Sequence, residues 1–225
     1  MRLLRWITAA FLKALTGRMF RVDATQLAKV PRGGPLIIVT NHVHIPEIPT
    51  LYTRLLPRKV HGMAQAERVL DNNIVGGILR MFGTIPVWRG EADLNALRTG
   101  IKILKDGGMI LLDPEGTRSH NGCLQKGRPG AVLMALHSGA PLLPVVHYGS
   151  EKYAQNLKHL RRTDLKYVVG KPFRVKAGGQ QVTSSIRQHM IDEVMFQMAS
   201  LLPPQYRGTY GALKLAPYKY LVFDE

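Results

Sequence analysis

The stretch IIVTNHVHIPEIP, running from Ile37 to Pro49, sets a histidine, His42, ahead of a carboxylate, Glu47, with four residues between them. A histidine acts as a general base when one ring nitrogen faces the substrate and the other donates to a carboxylate, which fixes the tautomer and stabilises the imidazolium. The spacing permits this if VHIP turns into a helix that begins near Glu47. His44 competes for either role, and the sequence leaves both histidines open. His42, His44 and Glu47 can also be drawn as metal ligands, yet no second cluster completes a shell, so no metal is expected. No Ser or Cys nucleophile accompanies the pair. A base without its own nucleophile activates a substrate hydroxyl directly.

Two further segments supply cations. Arg89 closes TIPVWR, and Arg118 lies in PEGTRS, Pro114 to Ser119. A guanidinium presents a planar fork that can bind two phosphate oxygens at once, which suits a phosphomonoester head group. Gly116 lets the chain turn tightly after a buried run, and Thr117 and Ser119 add hydroxyls beside the guanidinium. Lys126 and Arg128 extend the positive field.

These side chains need elements to place them. LIIV before Asn41-His42, IPV before Arg89 and MILL before the PEGTRS segment read as short buried strands, each running into polar residues. Helical patterns alternate with them: about 46–56, 72–83, 91–108, 127–141 and 180–202. Further strands are expected in KVHGMAQA, PLLPVVHYG and LKYVVGKPFRV. Such alternation predicts an α/β fold, a single layered domain with a mixed β-sheet flanked by helices. Functional residues in such folds lie just beyond strand C-termini. The expected division is an amphipathic helix over 1–20, the main domain over 21–202 and a turn-rich tail over 203–225.

The chain has 225 residues and one cysteine, Cys123, so an internal disulfide is excluded and a cytosol-facing location is the default. Its 31 Lys and Arg against 15 Asp and Glu give a formal charge of +16, which predicts anionic partners. No nucleic-acid module is recognisable, and the basic residues are not interleaved with aromatics, so nucleic acid is not expected. In MRLLRWITAAFLKALTGRMF, Leu4, Ile7, Phe11, Ala14 and Leu15 share one helical face, with Arg2, Arg5 and Lys13 roughly opposite. Arg5 and Lys13 interrupt the roughly 20 apolar residues that a transmembrane helix needs. The expectation is a helix lying in the interface of an anionic membrane, with Trp6 and Phe11 inserted and the basic residues facing lipid phosphates. An ordinary helix packed on its own domain shows the same amphipathicity.

Taken together, the segments resemble the glycerolipid acyltransferases, whose best-known members are the 1-acylglycerol-3-phosphate (lysophosphatidic acid) acyltransferases. That family's four blocks occur here in order: Asn41 to Glu47, GTIPVWR from Gly83 to Arg89, PEGTRS from Pro114 to Ser119, and PLLPV from Pro141 to Val145. The resemblance implies that His42 deprotonates an acceptor hydroxyl, which attacks an acyl thioester of coenzyme A or acyl carrier protein. It implies that Asn41, Arg89, Glu115, Gly116, Thr117, Arg118 and Ser119 serve the glycerol-phosphate acceptor and that Pro144 lines the donor side. It implies a peripheral or monotopic enzyme on the cytoplasmic membrane face, needing no cofactor beyond the donor co-substrate. Other acceptors, glycerol 3-phosphate or another lysolipid, use the same chemistry; a noncatalytic membrane-binding protein is the reading from a different class. The family's usual acid is Asp, where this chain has Glu47. One methylene more requires an adjusted turn after His42. Either the site has accommodated the longer acid, as the intact remainder of the constellation suggests, or the chain has diverged in acceptor or activity.

Overall fold

The computed structural model describes residues 2–88, 93–119, 121–212 and 218–223. Its elements in chain order are α1 (Arg2–Met19), β1 (Phe20–Asp23), β2 (Leu36–Val39), α2 (Glu47–Arg54), β3 (Val60–Gln65), α3 (Ala66–Leu70), α4 (Ile74–Met81), β4 (Ile85–Val87) and α5 (Leu94–Lys105). They continue with β5 (Met109–Leu112), α6 (Gly130–Ser138), β6 (Leu142–Tyr148), α7 (Tyr153–Lys158), β7 (Thr163–Val169), β8 (Phe173–Val175), α8 (Ser184–Ser200) and β9 (Leu221–Phe223). The strands form one sheet in the order β1-β7-β6-β2-β5-β3-β4, with β8 on β6 and β9 on β8.

The centre of the sheet is parallel: β2 pairs with β5 and β6, and β3 with β5 and β4. Two antiparallel additions, β7 on β6 and β8 on β6, make it mixed, as the sequence predicts. Both faces are covered, which is why β2 and β5 read as unbroken apolar runs. Successive residues of β2 feed opposite cores. Ile37 and Val39 join residues of α5, α6 and α8, whereas Leu36 and Ile38 join residues of α1, α2 and β1. The result is a three-layer α/β/α domain in which β2, β4, β5 and β6 all end at one edge.

Helix α1 is partly built into this domain. Ala9 and Thr16 are buried, and the Arg5 guanidinium lies 5.4 Å from the Phe82 ring centroid. Arg5 therefore faces the protein, which corrects, for this residue, the expectation that the basic residues face lipid phosphates; cation–π attraction holds it there. The opposite side of α1 leaves Leu3, Leu4, Ile7, Phe11 and Leu15 exposed. The segment after Pro203 is likewise folded in: Tyr210 is buried, its hydroxyl accepts from the Gly127 N–H, and β9 extends the sheet. Neither β1 nor β9 carries enough alternation in four or three residues to be read from sequence.

Candidate active site

Strand β2 ends at Val39, and Thr40 continues its pairing by donating its N–H to the Leu112 carbonyl at 3.1 Å. Asn41 comes next and is buried. Its side-chain amide donates to the His147 carbonyl at 2.8 Å and accepts from the His147 N–H at 2.9 Å. This two-way clasp ties the end of β2 to β6 and fixes where the chain departs. Asn41 therefore has its amide committed to the backbone, not turned to a ligand.

The turn from His42 to Pro46 then folds back on Glu47, the first residue of α2. One carboxylate oxygen, Oε2, accepts the N–H of Val43 and of His44, each at 2.8 Å. A carboxylate at a helix start that reaches back to preceding amides satisfies donors that the helix cannot use. The same oxygen lies 3.4 Å from His42 Nδ1. That contact is long for a charge-assisted bond, as catalytic contacts commonly are before substrate binds. The other oxygen, Oε1, accepts the Ser150 hydroxyl. The Glu47 carbonyl accepts from the Tyr167 hydroxyl at 3.0 Å. The additional methylene of Glu is thus used to place the carboxylate deep in the domain, at 0% exposure.

Burial pushes the Glu47 pKa up, but the histidine neighbours and the donors from His42, Ser150 and His44 outweigh it and hold the acid down at about 2. Glu47 is ionised at neutral pH. His147 Nε2 also lies 3.5 Å from Oε2, yet it is 2.7 Å from the Asn41 carbonyl, to which it donates. Burial lowers the pKa of His147 against the pull of the Glu47 carboxylate, while the charge interaction with His147 and the direct donors together hold Glu47 down.

The two histidines meet the carboxylate differently. His44 meets the carboxylate through its backbone N–H, while its ring sits 5.5 Å from that of Tyr153. His42 meets it through the ring and remains 20% exposed at the side chain. One imidazole nitrogen is turned to the acid, and the ring still reaches solvent.

The loop after β5 is stitched to the same histidine. The Ser119 N–H donates to the His42 carbonyl at 2.8 Å. Gly116, at φ +70°, provides the left-handed turn, where a β-carbon would lie 3.2 Å from Arg128 Cδ. The Arg128 side chain therefore lies along the loop, while its N–H donates to the Pro114 carbonyl at 2.8 Å. Arg118 is exposed, Thr117 half-buried and Ser119 buried, with the Ser119 hydroxyl donating to the Asn121 side chain at 3.0 Å. The Arg118 guanidinium makes no ion pair with a described residue. Glu115 turns inward. Its Oε2 accepts the Gln125 N–H at 2.8 Å, and burial raises its pKa to about 7.

One of the expected residues, Pro144, is not brought to this cluster, and another falls outside what the structure describes. Arg89 lies outside the described residues; β4, which leads to it, ends at the same sheet edge. Pro144 is buried within β6, opposite Val39, with Gly170 against its ring. It serves the sheet there, upstream of the strand end. A cavity of about 910 Å³ bounded by Trp6, Leu27, Val30, Leu55 and Met109 lies where β2, β3 and β5 begin, at the edge opposite His42. It takes no part in the cluster.

Sequence reasoning passed over His147, Ser150 and Tyr167. The signal for the first two was present: β6 is another buried parallel strand that ends in polar residues, and the rule applied to the other strand ends finds His147 and Ser150 as well.

Residues 21–148 match the model of the family described as Acyltransferase. Among relatives, the 1-acyl-sn-glycerol-3-phosphate acyltransferase of Bacillus subtilis is 29% identical over 143 residues, covering 64% of this chain and 69% of that protein. The chloroplastic 1-acyl-sn-glycerol-3-phosphate acyltransferase BAT2 of Brassica napus is 25% identical over 158 residues, 68% of this chain and 45% of that protein. The chain thus spans less than half the length of the plant relative. The crystal structure of the 1-acyl-sn-glycerophosphate (LPA) acyltransferase PlsC from Thermotoga maritima superposes with a TM-score of 0.58 at 20% identity, covering 88% of this chain and 81% of that one. That likeness supports the fold.

Proposed function

From the premise that this chain belongs to the acyltransferase family, we propose that it transfers an acyl group from a thioester to the free hydroxyl of a lysophosphatidate, giving phosphatidic acid. The observation that carries the reading is the convergence at one sheet edge of a carboxylate-backed imidazole and a loop bearing an exposed guanidinium, joined by the Ser119 N–H on the His42 carbonyl. The remaining ring nitrogen of His42, Nε2, takes the acceptor's hydroxyl proton as that oxygen bonds to the thioester carbonyl carbon. Glu47 stabilises the imidazolium that results. The tetrahedral adduct collapses by breaking its carbon–sulfur bond, and the proton passes from His42 to the departing thiolate. Atoms and charges balance with acceptor and thioester alone, so the step calls for no cofactor.

Arg118, with Arg128 alongside the loop and Arg89 at the end of β4, forms the head-group clamp in this reading. The donor is acyl-coenzyme A or acyl carrier protein, both anionic and suited to a chain of charge +16. The lipid acceptor implies work at a membrane surface. No helix among the described residues is long and apolar enough to cross a bilayer, whereas α1 exposes five large apolar side chains on its outer side. We place the enzyme peripherally on the cytoplasmic face, with α1 in the interface.

The test is acyl transfer to lysophosphatidate in mixed micelles, with acyl-coenzyme A and acyl carrier protein as separate donors, for wild type and His42→Ala. Turnover by the wild type and its loss in His42→Ala support the proposal. Full activity in His42→Ala removes His42 as the base. Transfer to glycerol 3-phosphate but not to lysophosphatidate reassigns the acceptor.

A further inference from the structure

We infer that Ser150 is a positioning residue for acyl transfer, holding the Glu47 carboxylate in the orientation from which it acts on His42; this rests on the reading of His42 as base and Glu47 as its orienting acid. On Oε2, Glu47 accepts from the Val43 and His44 N–H groups and meets the His42 ring, with His147 Nε2 farther off at 3.5 Å. On Oε1 it has the Ser150 hydroxyl. The terminal torsion of a glutamate is soft, and donors at one oxygen alone leave the carboxylate plane free to turn. A donor on the second oxygen fixes that plane and with it the direction of the lone pair that His42 meets.

Ser150 is itself held in place. It is 0% exposed, and its carbonyl accepts the Tyr153 N–H at 2.8 Å, at the start of α7. Just ahead of it Gly149 takes φ +98°, where a β-carbon would come within 2.7 Å of the Asp164 carbonyl oxygen. Only glycine fits that turn, which delivers Ser150 rigidly from the end of β6. His147 cannot replace it, because its nearer contact is the Asn41 carbonyl and it approaches the other oxygen of the acid.

The arrangement also accounts for the longer acid. The carboxylate bridges the His42 turn on one side and Ser150 on the other. An aspartate from the same backbone position is one methylene short and gives up one of the two sides. Glu47 and Ser150 therefore act as a unit, and their substitutions are coupled.

The experiment is a double-mutant cycle on the full chain, with Ser150→Ala, Glu47→Asp and the two combined, read as kcat and both Michaelis constants with lysophosphatidate and the active thioester donor. Ser150→Ala is expected to lower kcat about 10- to 100-fold, the range for loss of a hydrogen bond to a charged group, with both Michaelis constants within about twofold of wild type. In the Glu47→Asp background the same change is expected to cost less than about threefold. Fully multiplying losses, an unchanged kcat in Ser150→Ala, or a loss confined to a Michaelis constant overturns the inference while the reading of the site stands. A wild type inactive with every donor and acceptor overturns both. If Ser150→Ala does not fold, Ser150→Cys, which fills similar space with a much weaker donor, takes its place in the same cycle with the same criteria.

Discussion

At the scale of single residues, two buried carboxylates, one after β2 and one after β5, are pushed in opposite directions by their surroundings. Glu47 is held at about 2, from an ordinary value of 4.5, because the charge interaction with His147 and its hydrogen-bond donors outweigh burial; Glu115 is raised to about 7 because burial dominates and a single N–H, that of Gln125, opposes it. Their effects on stability have opposite signs. The lowered acid stabilises the fold above pH 4.5, and that contribution disappears as pH falls towards 2. The raised acid binds its proton more tightly in the fold than in the unfolded chain, so stability falls as pH rises from 4.5 to 7. Glu115→Gln removes the second dependence. Thermal denaturation is expected to show this variant gaining several degrees over wild type at pH 8 and much less at pH 5; an equal gain at both would mean that Glu115 does not titrate in that window. Arg118→Ala addresses charge of the other sign. The guanidinium is exposed and free of ion pairs with described residues, so the folded state loses little. The acceptor Michaelis constant is expected to rise about 10- to 100-fold, the scale of a charge-assisted phosphate contact, with kcat nearly constant.

At the scale of elements, the site is made by strand ends rather than by any one motif. The apolar runs of β2 and β5 were legible because both faces of these strands are covered, and their polar termini marked the edge where chemistry collects. The polar end of β6 carried the same mark, but PVVHYGS contains no recognisable catalytic pattern, and the partnership of His147 with Asn41 joins residues more than 100 positions apart. Such pairing follows from strand order, which places β6 beside β2, and strand order is not contained in local periodicity. Asn41 shows the consequence. Sequence similarity put it among the substrate-binding residues, whereas its amide clasps the backbone of β6 in both directions. Asn41→Ala leaves a buried carbonyl and a buried N–H without partners, at roughly 1–3 kcal/mol each. The expected result is a destabilisation of about 3 kcal/mol in urea unfolding, together with lower kcat. Asn41→Ala with wild-type stability would place the clasp's value elsewhere.

At the scale of the whole molecule, the proposed placement at a membrane rests on the surface charge and the first helix. A charge of +16 favours an anionic surface, but charge alone would yield a loose, salt-sensitive association. Firm attachment requires apolar side chains to enter the acyl boundary, and α1 offers Leu4, Ile7 and Phe11, exposed at 60%, 57% and 64%. Removing α1 is a poor way to ask whether they do so, because Ala9 belongs to the core shared with β1, β2 and β7 and deletion would open that core to water. Replacing the three exposed residues with glutamate leaves the packed side untouched. Each apolar side chain buried is worth about 1.5–3 kcal/mol, so losing three should lower partitioning onto vesicles at least about 100-fold. In sedimentation with vesicles of mixed neutral and anionic phospholipid, the wild type is expected in the pellet at 0.15 M salt and the triple variant in the supernatant. With a micelle-dispersed lysophosphatidate the variant should retain kcat, since none of the three residues belongs to the cluster at the strand ends. Continued sedimentation of the variant would move the membrane contact to another surface; loss of kcat in micelles would mean that α1 supports the active site as well as the attachment.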